Sequence, residues 1–298
     1  MKSKLFLSEI SVVDHGFINY KGQVIGGSFN PSFVITGSID ETEKVVVDFS
    51  TIKKDIKGLI DRHIWDAYNN GFDHKLWFIE GYSQGTCIKV DDNYHIVTDA
   101  CKLILPTDAV KIIAPIDGIA PEYSTTYIQK AFEVYLTTEL MKLYPLIGVE
   151  VECYNNINTH RVNTTQIYFM FTYSHGLKDS TSYGCQNIAH GHLSFIQSAD
   201  SNAPLHHINK MKKVASDLGG AVFINRENIV FQDDSVIEIQ YTTKRGQFFA
   251  SYKTAENKLI VLDTETTIEY LAEYVKDTYN VTGFYISEGL SKGCVITV

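Results

Sequence analysis

Residues Gly184–His192 read GCQNIAHGH, a stretch that places two of the chain's ten histidines two positions apart, shortly after a cysteine. In a β-strand, residues i and i+2 point to the same side, so His190 and His192 would direct both imidazoles at one point. Gly191 adds no side chain between them. The spacing is typical of a metal site; the alternative is that two surface histidines happen to be neighbours.

The composition is that of a soluble globular protein, with 44% hydrophobic and 20% charged residues. At 298 residues the chain is long enough for two ordinary domains or one large one. Its net charge of −9 disfavours nucleic-acid binding. Glu9 and Asp14 come too early for a signal peptide, and no apolar run approaches the roughly 18 to 20 residues of a membrane helix. We therefore expect a cytoplasmic protein with neither membrane nor nucleic-acid partner, whose scattered cysteines are free thiols.

The chain repeats one order of elements. Phe6–Ile18 (FLSEISVVDHGFI) resembles Ile167–Asp179 (IYFMFTYSHGLKD), each an alternating apolar strand that ends in a polar residue, histidine and glycine. Each half continues with a helix, a β region, a helix opened by hydroxyl residues suited to an N-cap, and a strand that carries a glutamate. The first helices have apolar faces formed by Phe49, Ile52, Ile56, Leu59 and Ile60 in one half and by Leu205, Ile208, Met211 and Val214 in the other. This pattern predicts an α+β fold of two packed units, residues 1–162 and 163–298.

A third histidine and a cysteine accompany the His-Gly-His stretch. His175 ends a strand that would pair with the strand of His190 and His192. Three imidazoles from adjacent strands suit zinc and leave a fourth position open for water or substrate. Cys185 lies in a polar loop, where a thiol beside a metal can act as a nucleophile or base, although taken alone it would be structural.

Two further features are ambiguous by themselves. Asp73 and His74 are adjacent in GFDHKLWF (Gly71–Phe78). The carboxylate could orient the imidazole and raise its basicity, but a solvated turn explains the pair equally well. Glu152 and Glu288 occupy corresponding late strands, where a carboxylate could accept paired N–H donors from a flat heterocycle or be an ordinary edge residue.

Together these motifs resemble the 6-pyruvoyl-tetrahydropterin synthase and 6-carboxy-tetrahydropterin synthase family, over nearly the whole chain and in both halves. The matching segments are YSHGL, the cysteine followed by HGH, VVVDFSTIK, FDHKL, STTY and the late SE dipeptide. His-Gly-His with the upstream cysteine is the specific element. The resemblance implies two tandem T-fold units, each an antiparallel sheet with helices on one face, which join edge to edge into barrels. It therefore predicts a homo-oligomer.

The resemblance also implies a substrate and a set of site residues. The substrate would be 7,8-dihydroneopterin triphosphate, which would lose triphosphate with zinc as cofactor. Zinc would be held by His175, His190 and His192, and the catalytic residues would be Cys185, Asp73 and His74. The pterin would be bound by Glu152, Glu288, Thr125, Thr126, Thr266 and Thr267.

Each half departs from the family pattern in a different place. At the His-Gly-His positions the first unit reads Ser28-Phe29-Asn30 with no preceding cysteine, so only His15 remains and no zinc is expected there. The second unit has INREN in place of the Asp-His pair. The two units have lost complementary parts, and the resemblance implies one composite site with zinc and Cys185 from the second unit and Asp73 and His74 from the first.

Several alternatives stay open. Four residues separate Cys185 from His190, a spacing between those of the pyruvoyl and carboxy branches, so it does not choose between the two products. The pathway served could be that of tetrahydrobiopterin, folate or 7-deazaguanine (queuosine). One rival is a duplicated T-fold nitrile reductase of 7-deazaguanine synthesis, which uses a cysteine without zinc. Another is a pterin- or purine-binding protein without turnover.

The composite site predicts about one zinc ion per chain. Metal analysis of the purified protein should find this ratio, and His190→Ala or His192→Ala should abolish it because each removes a ligand. His15→Ala should leave the zinc content unchanged. Two zinc ions per chain would show that the interpretation of Ser28 and Asn30 is wrong.

Overall fold

The structure is a computed structural model that describes residues 2–8, 10–42, 44–61, 71–116, 125–145, 147–154, 166–175, 187–243, 245–290 and 292–297. It describes the backbone alone at Lys2, Thr125, Cys153, Tyr154 and His175. These residues form four α-helices and eighteen strands in three sheets, which confirms the predicted α+β class. Over the described ranges, no helix is both long and apolar enough to cross a membrane.

The elements fall into two halves on either side of residues 155–165. The first half consists of β1 (Lys2–Leu7), β2 (Val13–Ile18), β3 (Val24–Ser38), α1 (Phe49–Asp61), β4 (Lys75–Ile79), β5 (Thr86–Val90), β6 (Asn93–Val97), β7 (Cys101–Pro106), β8 (Val110–Ile113), α2 (Thr125–Leu143) and β9 (Gly148–Tyr154). The second half consists of β10 (Ile167–His175), β11 (Asn187–Ser198), α3 (Leu205–Leu218), β12 (Ala221–Asn225), β13 (Ile229–Gln232), β14 (Val236–Thr243), β15 (Gly246–Lys253), β16 (Lys258–Leu262), α4 (Ile268–Tyr279), β17 (Phe284–Glu288) and β18 (Lys292–Ile296).

The main sheets of the two halves have the same strand order and directions. In the first, β4 runs parallel to β2 and β8, and β3 runs antiparallel to β2 and β9, which gives the order β8-β4-β2-β3-β9. In the second, β12 runs parallel to β10 and β16, and β11 runs antiparallel to β10 and β17, which gives β16-β12-β10-β11-β17. The predicted boundary after residue 162 lies outside the described residues, so its position stays a prediction.

A third sheet is shared between the halves. The first half contributes β5, β6 and β7, which lie between β4 and β8 in the chain, and the second contributes β13, β14 and β15, which lie between β12 and β16. Strand β7 pairs with β15 from Cys101↔Tyr252 to Ile104↔Phe249, so the sheet has the order β13-β14-β15-β7-β6-β5. Backbone hydrogen bonds therefore join the two halves.

Three hydrophobic cores hold these layers together. Helices α1 and α2 pack on one face of the first main sheet, and α3 and α4 pack on one face of the second. The opposite faces and the shared sheet enclose a central core that includes Ile18, Ile188 and Tyr252. Strand β4 shows the alternation, because Trp77 belongs to the helix-side core and Leu76 to the central one.

The predicted helical faces are confirmed in their central parts. Ile52, Ile56 and Ile60 of α1 are buried, as are Met211 and Val214 of α3. Phe49 and Leu205, however, are 44% and 71% exposed. Both are the first residue of their helix, and periodicity alone does not tell where a helix begins to contact its sheet.

A hydroxyl residue opens α4, as predicted, because Thr267 is its N-cap residue, although the side chain makes no capping hydrogen bond. One local prediction is wrong. Phe6–Ile18 is not one strand, because β1 ends at Leu7 and β2 begins at Val13. His15 therefore lies near the start of β2 whereas His175 ends β10, so the two histidines are not counterparts in the repeat.

The hairpin β2–β3 lies directly against β10–β11, with glycines at the contact. A Cβ atom at Gly191 would lie 2.5 Å from Gly26 Cα, and one at Gly26 would lie 2.5 Å from the backbone nitrogen of His192. A Cβ atom at Gly16 would lie 2.5 Å from the carbonyl oxygen of Ala189. These distances are shorter than any ordinary contact of a carbon atom, so a side chain at any of the three positions would clash with the facing strand. The two backbones can approach this closely only because all three residues are glycine.

Gly26→Ala should therefore destabilise the protein by about 1–3 kcal/mol or more, because the added methyl group must displace backbone. Gly58→Ala is a suitable control, because Gly58 lies in α1 and a Cβ atom there would have no neighbour within 4 Å. That substitution should stabilise the helix by about 0.5–1 kcal/mol. Urea unfolding of both variants measures the two effects, and a Gly26→Ala variant as stable as the parent would contradict the close packing.

Candidate functional site

Six ionisable side chains from both halves lie together, and we call them the histidine–carboxylate cluster. The first half contributes Asp14 from the start of β2 and the adjacent pair Asp73 and His74, which precedes β4. The second half contributes His190 and His192 from β11 and Glu288 from the end of β17. The close packing of β2 against β11 brings these elements together.

His190 and His192 lie on one face of β11, as the two-residue spacing predicts. They are paired across the sheet with Tyr173 and Phe171 of β10, and their ring centroids are 4.4 Å apart. Both are buried, with exposed fractions of 1% and 0%. The hypothesis of two neighbouring surface histidines is therefore wrong.

The Asp73–His74 pair is held in a tight turn. His74 has a φ of 55°, in the left-handed region. The backbone N–H of Asp14 donates to Asp73 Oδ1 at 2.8 Å, and that of His74 donates to the carbonyl oxygen of Asp14 at 2.7 Å. Asp73 Oδ2 then lies 3.2 Å from His74 Nε2, and the two side chains are only 19% and 14% exposed. These adjacent residues do face one another, and the alternative of a solvated turn is wrong.

Two contacts join the halves within the cluster. His74 Nδ1 contacts His190 Nε2, and the two rings lie nearly edge to face, with centroids 4.2 Å apart at 70°. Asp14 Oδ1 lies 3.3 Å from His192 Nδ1. The structure thus places the Asp-His pair of the first half against the His-Gly-His strand of the second.

The two aspartates of the cluster have opposite pKa shifts. Burial alone would raise the pKa of Asp14, but the charges of His192, His74 and Lys292 and a hydrogen bond with His192 hold it well below its usual range. Burial and the charge of Asp14 raise the pKa of Asp73 well above its usual range. Burial lowers the pKa of His74 to about 3, so this imidazole is neutral at physiological pH.

Of the predicted pterin-binding glutamates, only Glu288 lies in the cluster. Its Oε1 is 3.9 Å from His192 Nε2, and its Oε2 forms an ion pair with Lys292 at 3.2 Å. Glu152 is exposed on β9, opposite Ser32 of β3. The two glutamates occupy corresponding strands, but only one of them faces the histidines.

The structure does not show the predicted threonines, or the side chains of His175 and Cys185, in contact with the cluster. Thr266 is fully buried and its hydroxyl donates to the carbonyl oxygen of Ser174 at 3.0 Å. Thr267 is half-buried, Thr126 is exposed, and only the backbone of Thr125 is described. His175 ends β10 opposite Asn187 of β11, but its side chain lies outside the described part, as does Cys185 entirely.

Sequence reasoning missed Asp14 and Asn187. The amide of Asn187 donates to the carbonyl oxygens of His74 and Ala109, at 3.0 Å each, so it fixes the turn that carries His74. An aspartate beside a histidine in the apolar run VVDHG was the available signal for Asp14, because a buried carboxylate needs a partner. Asn187 gave no such signal, because its partners come from the other half.

Within the described ranges, no three histidine, cysteine, aspartate or glutamate side chains are arranged to hold a metal ion. The chemistry around His192 nevertheless fits zinc. A zinc-bound histidine usually has a carboxylate or carbonyl at its other ring nitrogen, and Asp14 occupies that position at His192 Nδ1. Because the His175 side chain is not described, the ligand set His175, His190 and His192 stays a prediction.

Comparison with known proteins gives matches only among solved structures. No family model and no curated protein matches the chain. A catalytic-residue mutant of 6-pyruvoyltetrahydropterin synthase from Plasmodium vivax is similar over 51% of this chain and 91% of its own, with 19% identity and a TM-score of 0.36. The 6-pyruvoyl tetrahydropterin synthase of Plasmodium falciparum is similar over 50% of this chain and 90% of its own, with 16% identity and a TM-score of 0.33.

The opposite pKa shifts predict opposite effects of two matched substitutions at neutral pH. Asp14→Asn should lower the free energy of unfolding, because a carboxyl whose folded pKa is depressed stabilises the protein at every pH above its unfolded pKa of about 3.9. Asp73→Asn should raise it, because a carboxyl whose folded pKa is raised costs stability as pH rises above about 3.9. Each effect should be on the order of 1 kcal/mol or more, the equivalent of one pKa unit.

Urea unfolding at neutral pH and near pH 3 measures these effects. The difference between Asp73→Asn and the parent should vanish near pH 3, where Asp73 is protonated in both the folded and the unfolded state, whereas that of Asp14→Asn should persist. Asp234→Asn, at an exposed position, serves as the control. Equal destabilisation by both cluster substitutions at neutral pH would contradict this assignment of charges.

Proposed function

We propose that the chain is a zinc-dependent pterin synthase, a carbon–oxygen lyase that acts on 7,8-dihydroneopterin triphosphate and eliminates triphosphate. The contact between His74 and His190 carries this proposal. It joins a candidate acid–base pair of the first half to the candidate metal-binding strand of the second. A composite site requires this juxtaposition, whereas two independent units would not need it.

His175, His190 and His192 would hold the zinc. The metal would supply a Lewis acid that lowers the pKa of hydroxyl groups on the substrate side chain. Asp14 would orient His192 through Nδ1, and its depressed pKa supports this role because it remains an acceptor at physiological pH. Asp14 is thus a positioning residue from the other half of the chain.

Proton transfer would fall to His74 and Cys185. A neutral imidazole can take a proton, and Asp73 at 3.2 Å fixes its ring. Cys185 is placed in this site by the resemblance alone. Together the two groups would move protons on the substrate carbons next to the hydroxyl groups.

Glu288 would bind the pterin ring. Its carboxylate could accept N–H donors from the ring and its amino group, and its distance of 3.9 Å from His192 supports a position beside the reacting side chain. Thr266 and Thr267 precede α4 in the same half. Glu152, Thr125 and Thr126 belong to the other half and would contribute only where copies of the chain meet.

We also propose that the two halves are tandem T-fold units that assemble into a homo-oligomer. The repeated order of β8-β4-β2-β3-β9 and β16-β12-β10-β11-β17 supports the duplication. The outer strands of the shared sheet, β5 and β13, expose apolar side chains such as Ile88 and Phe231. Open sheet edges of this kind favour edge-to-edge pairing.

The test is incubation of the purified protein with 7,8-dihydroneopterin triphosphate, followed by measurement of triphosphate release and of product mass. If His74 and Cys185 form one relay, His74→Ala and Cys185→Ala should each reduce turnover at least about 100-fold, within the usual range for acid–base catalysis of roughly 100- to 10,000-fold. The double variant should be scarcely slower than the slower single variant. His74→Ala should retain zinc and bind the pterin, because the predicted ligands and Glu288 are unchanged.

His206→Ala is the matched control, because this histidine is exposed on α3, and it should release triphosphate at the parental rate. Near-normal turnover by His74→Ala would overturn the composite site. Pterin binding without triphosphate release by the parent would favour the non-catalytic alternative. A metal-free parent protein that reduces a nitrile would favour the reductase.

A further inference from the structure

The hairpin of β17 and β18 places two opposite charges at the edge of the histidine–carboxylate cluster. Glu288 ends β17 and Lys292 begins β18, and the two residues are paired across the hairpin. Lys292 Nζ lies 3.2 Å from Glu288 Oε2, whereas Glu288 Oε1 lies 3.9 Å from His192 Nε2. The side chain of His192 is fully buried, that of Glu288 is 15% exposed and that of Lys292 is 46% exposed. The three groups therefore lead from the buried cluster to solvent, and a ligand can reach the Glu288–Lys292 pair from outside.

Two serine side chains fix the end of β17 that carries Glu288. The Ser287 hydroxyl accepts from the backbone N–H of Phe195 on β11 at 2.8 Å. The Ser194 hydroxyl, also on β11, donates to the carbonyl oxygen of Ser287 at 2.5 Å. Both serines are buried. Glu288 therefore follows a residue whose side chain and carbonyl group are both hydrogen-bonded to the strand of the two cluster histidines.

The turn after Glu288 packs on the first half of the chain. Gly289 has a φ of 70°, and a Cβ atom there would lie 2.5 Å from Asp14 Oδ1. A side chain at this position would strain the backbone and clash with the carboxyl group. The hairpin is thus held against the cluster. An ion pair with a partner as exposed as Lys292 adds little to stability, so folding does not account for a cation at this place.

We propose that Lys292 is a specificity-determining residue of this site, whose ammonium group donates a hydrogen bond to the ring carbonyl of a fused 2-amino-4-oxopyrimidine. Glu288 accepts the ring N–H and the amino group of the same ring edge. The inference rests on the role proposed above for Glu288, and it adds the group that recognises the third position of that edge. It requires neither zinc nor turnover.

The three groups of this ring edge match the Glu288–Lys292 pair in order. The 2-amino group and the ring N–H are donors, and the 4-oxo group beside them is an acceptor. The oxygens of a carboxylate only accept, whereas the three hydrogens of an ammonium group are only donated. Lys292 can therefore keep one hydrogen bond to Glu288 and direct another at the carbonyl oxygen. Because the ammonium group and Oε2 are already in contact, they can meet adjacent groups on one ring edge.

The pair also predicts which rings are rejected. A 4-amino group in place of the 4-oxo group would turn a donor towards the ammonium group. Sites that hydrogen-bond a ligand discriminate strongly against analogues that leave their polar groups unpaired. Pterins and guanine-type purines share the accepted edge, so Lys292 has the same role in a pterin synthase and in a pterin- or purine-binding protein.

Pterin and 2,4-diaminopteridine test this role, because both are uncharged at neutral pH and they differ in the group at position 4. In calorimetric titration of the full chain, Lys292→Met should bind pterin at least about tenfold more weakly than the parent, equivalent to about 1.4 kcal/mol, because the side chain keeps its length and loses its donors. Its affinity for 2,4-diaminopteridine should stay within about twofold of the parent's or rise, because no hydrogen bond from Lys292 is lost. Lys292→Arg keeps the donors and should retain most of the affinity for pterin.

Lys276→Met is the matched control. Lys276 belongs to the same half, its side chain is 41% exposed, and its Nζ is ion-paired with Asp277 at 3.5 Å. This variant should bind both ligands as the parent does.

Glu288→Gln separates this inference from the proposed function. It removes the carboxylate that both ligands need and should weaken the binding of both. If it does so while Lys292→Met binds pterin as the parent does, the inference is wrong and the role of Glu288 stands. Equal weakening of both ligands by Lys292→Met would show that Lys292 only orients Glu288, which also overturns the inference. Undiminished binding by Glu288→Gln, or a parent that binds neither ligand, would contradict the proposed function and the inference together.

Discussion

The backbone contact between β2–β3 and β10–β11 determines where the side chains of the two halves meet. Gly16, Gly26 and Gly191 lie at this contact, and a Cβ atom on any of them would overlap the facing strand. Because the strands approach so closely, Asp14 can reach His192 and His74 can reach His190. The glycines carry no reactive group, yet the geometry of the cluster depends on them. The central core and the shared sheet then hold the halves in this relation.

The cluster remains compatible with folding because its charges are divided unequally. Two carboxyl groups this close cannot both ionise cheaply away from water. Asp14 lies against His192 and keeps its negative charge, whereas Asp73, destabilised by that charge and by burial, has a raised pKa. Titratable groups whose environments push their pKa values apart are typical of acid–base sites. Here the two environments belong to neighbouring elements, since the backbone N–H of Asp14 at the start of β2 donates to Asp73 in the turn before β4.

Much of the fold could be predicted from the sequence, because hydrophobic periodicity and turn residues are local. The buried faces of α1 and α3 follow the helical spacing of Ile52, Ile56, Met211 and Val214. The shared face of His190 and His192 follows from strand geometry alone. The gap between β1 and β2 could not be predicted, because the apolar alternation continues through it. The apolar run VVDHG indicates only that Asp14 is buried and needs a partner. Which residue that partner is could not be predicted, because His192 lies on β11 and tertiary proximity leaves no local pattern.

Because the site depends on contacts between the halves and not on a local pattern, a chain with two similar halves could divide one site between them. If the proposed function is correct, each unit needs only those groups that reach the meeting point of β2, β4 and β11. Positions that no longer hold a ligand are then free to stabilise the interface. Ser28 donates to Asp14 and accepts from the backbone N–H of Leu193 in the other half. It therefore ties the carboxylate that lies against His192 to the strand that carries this histidine.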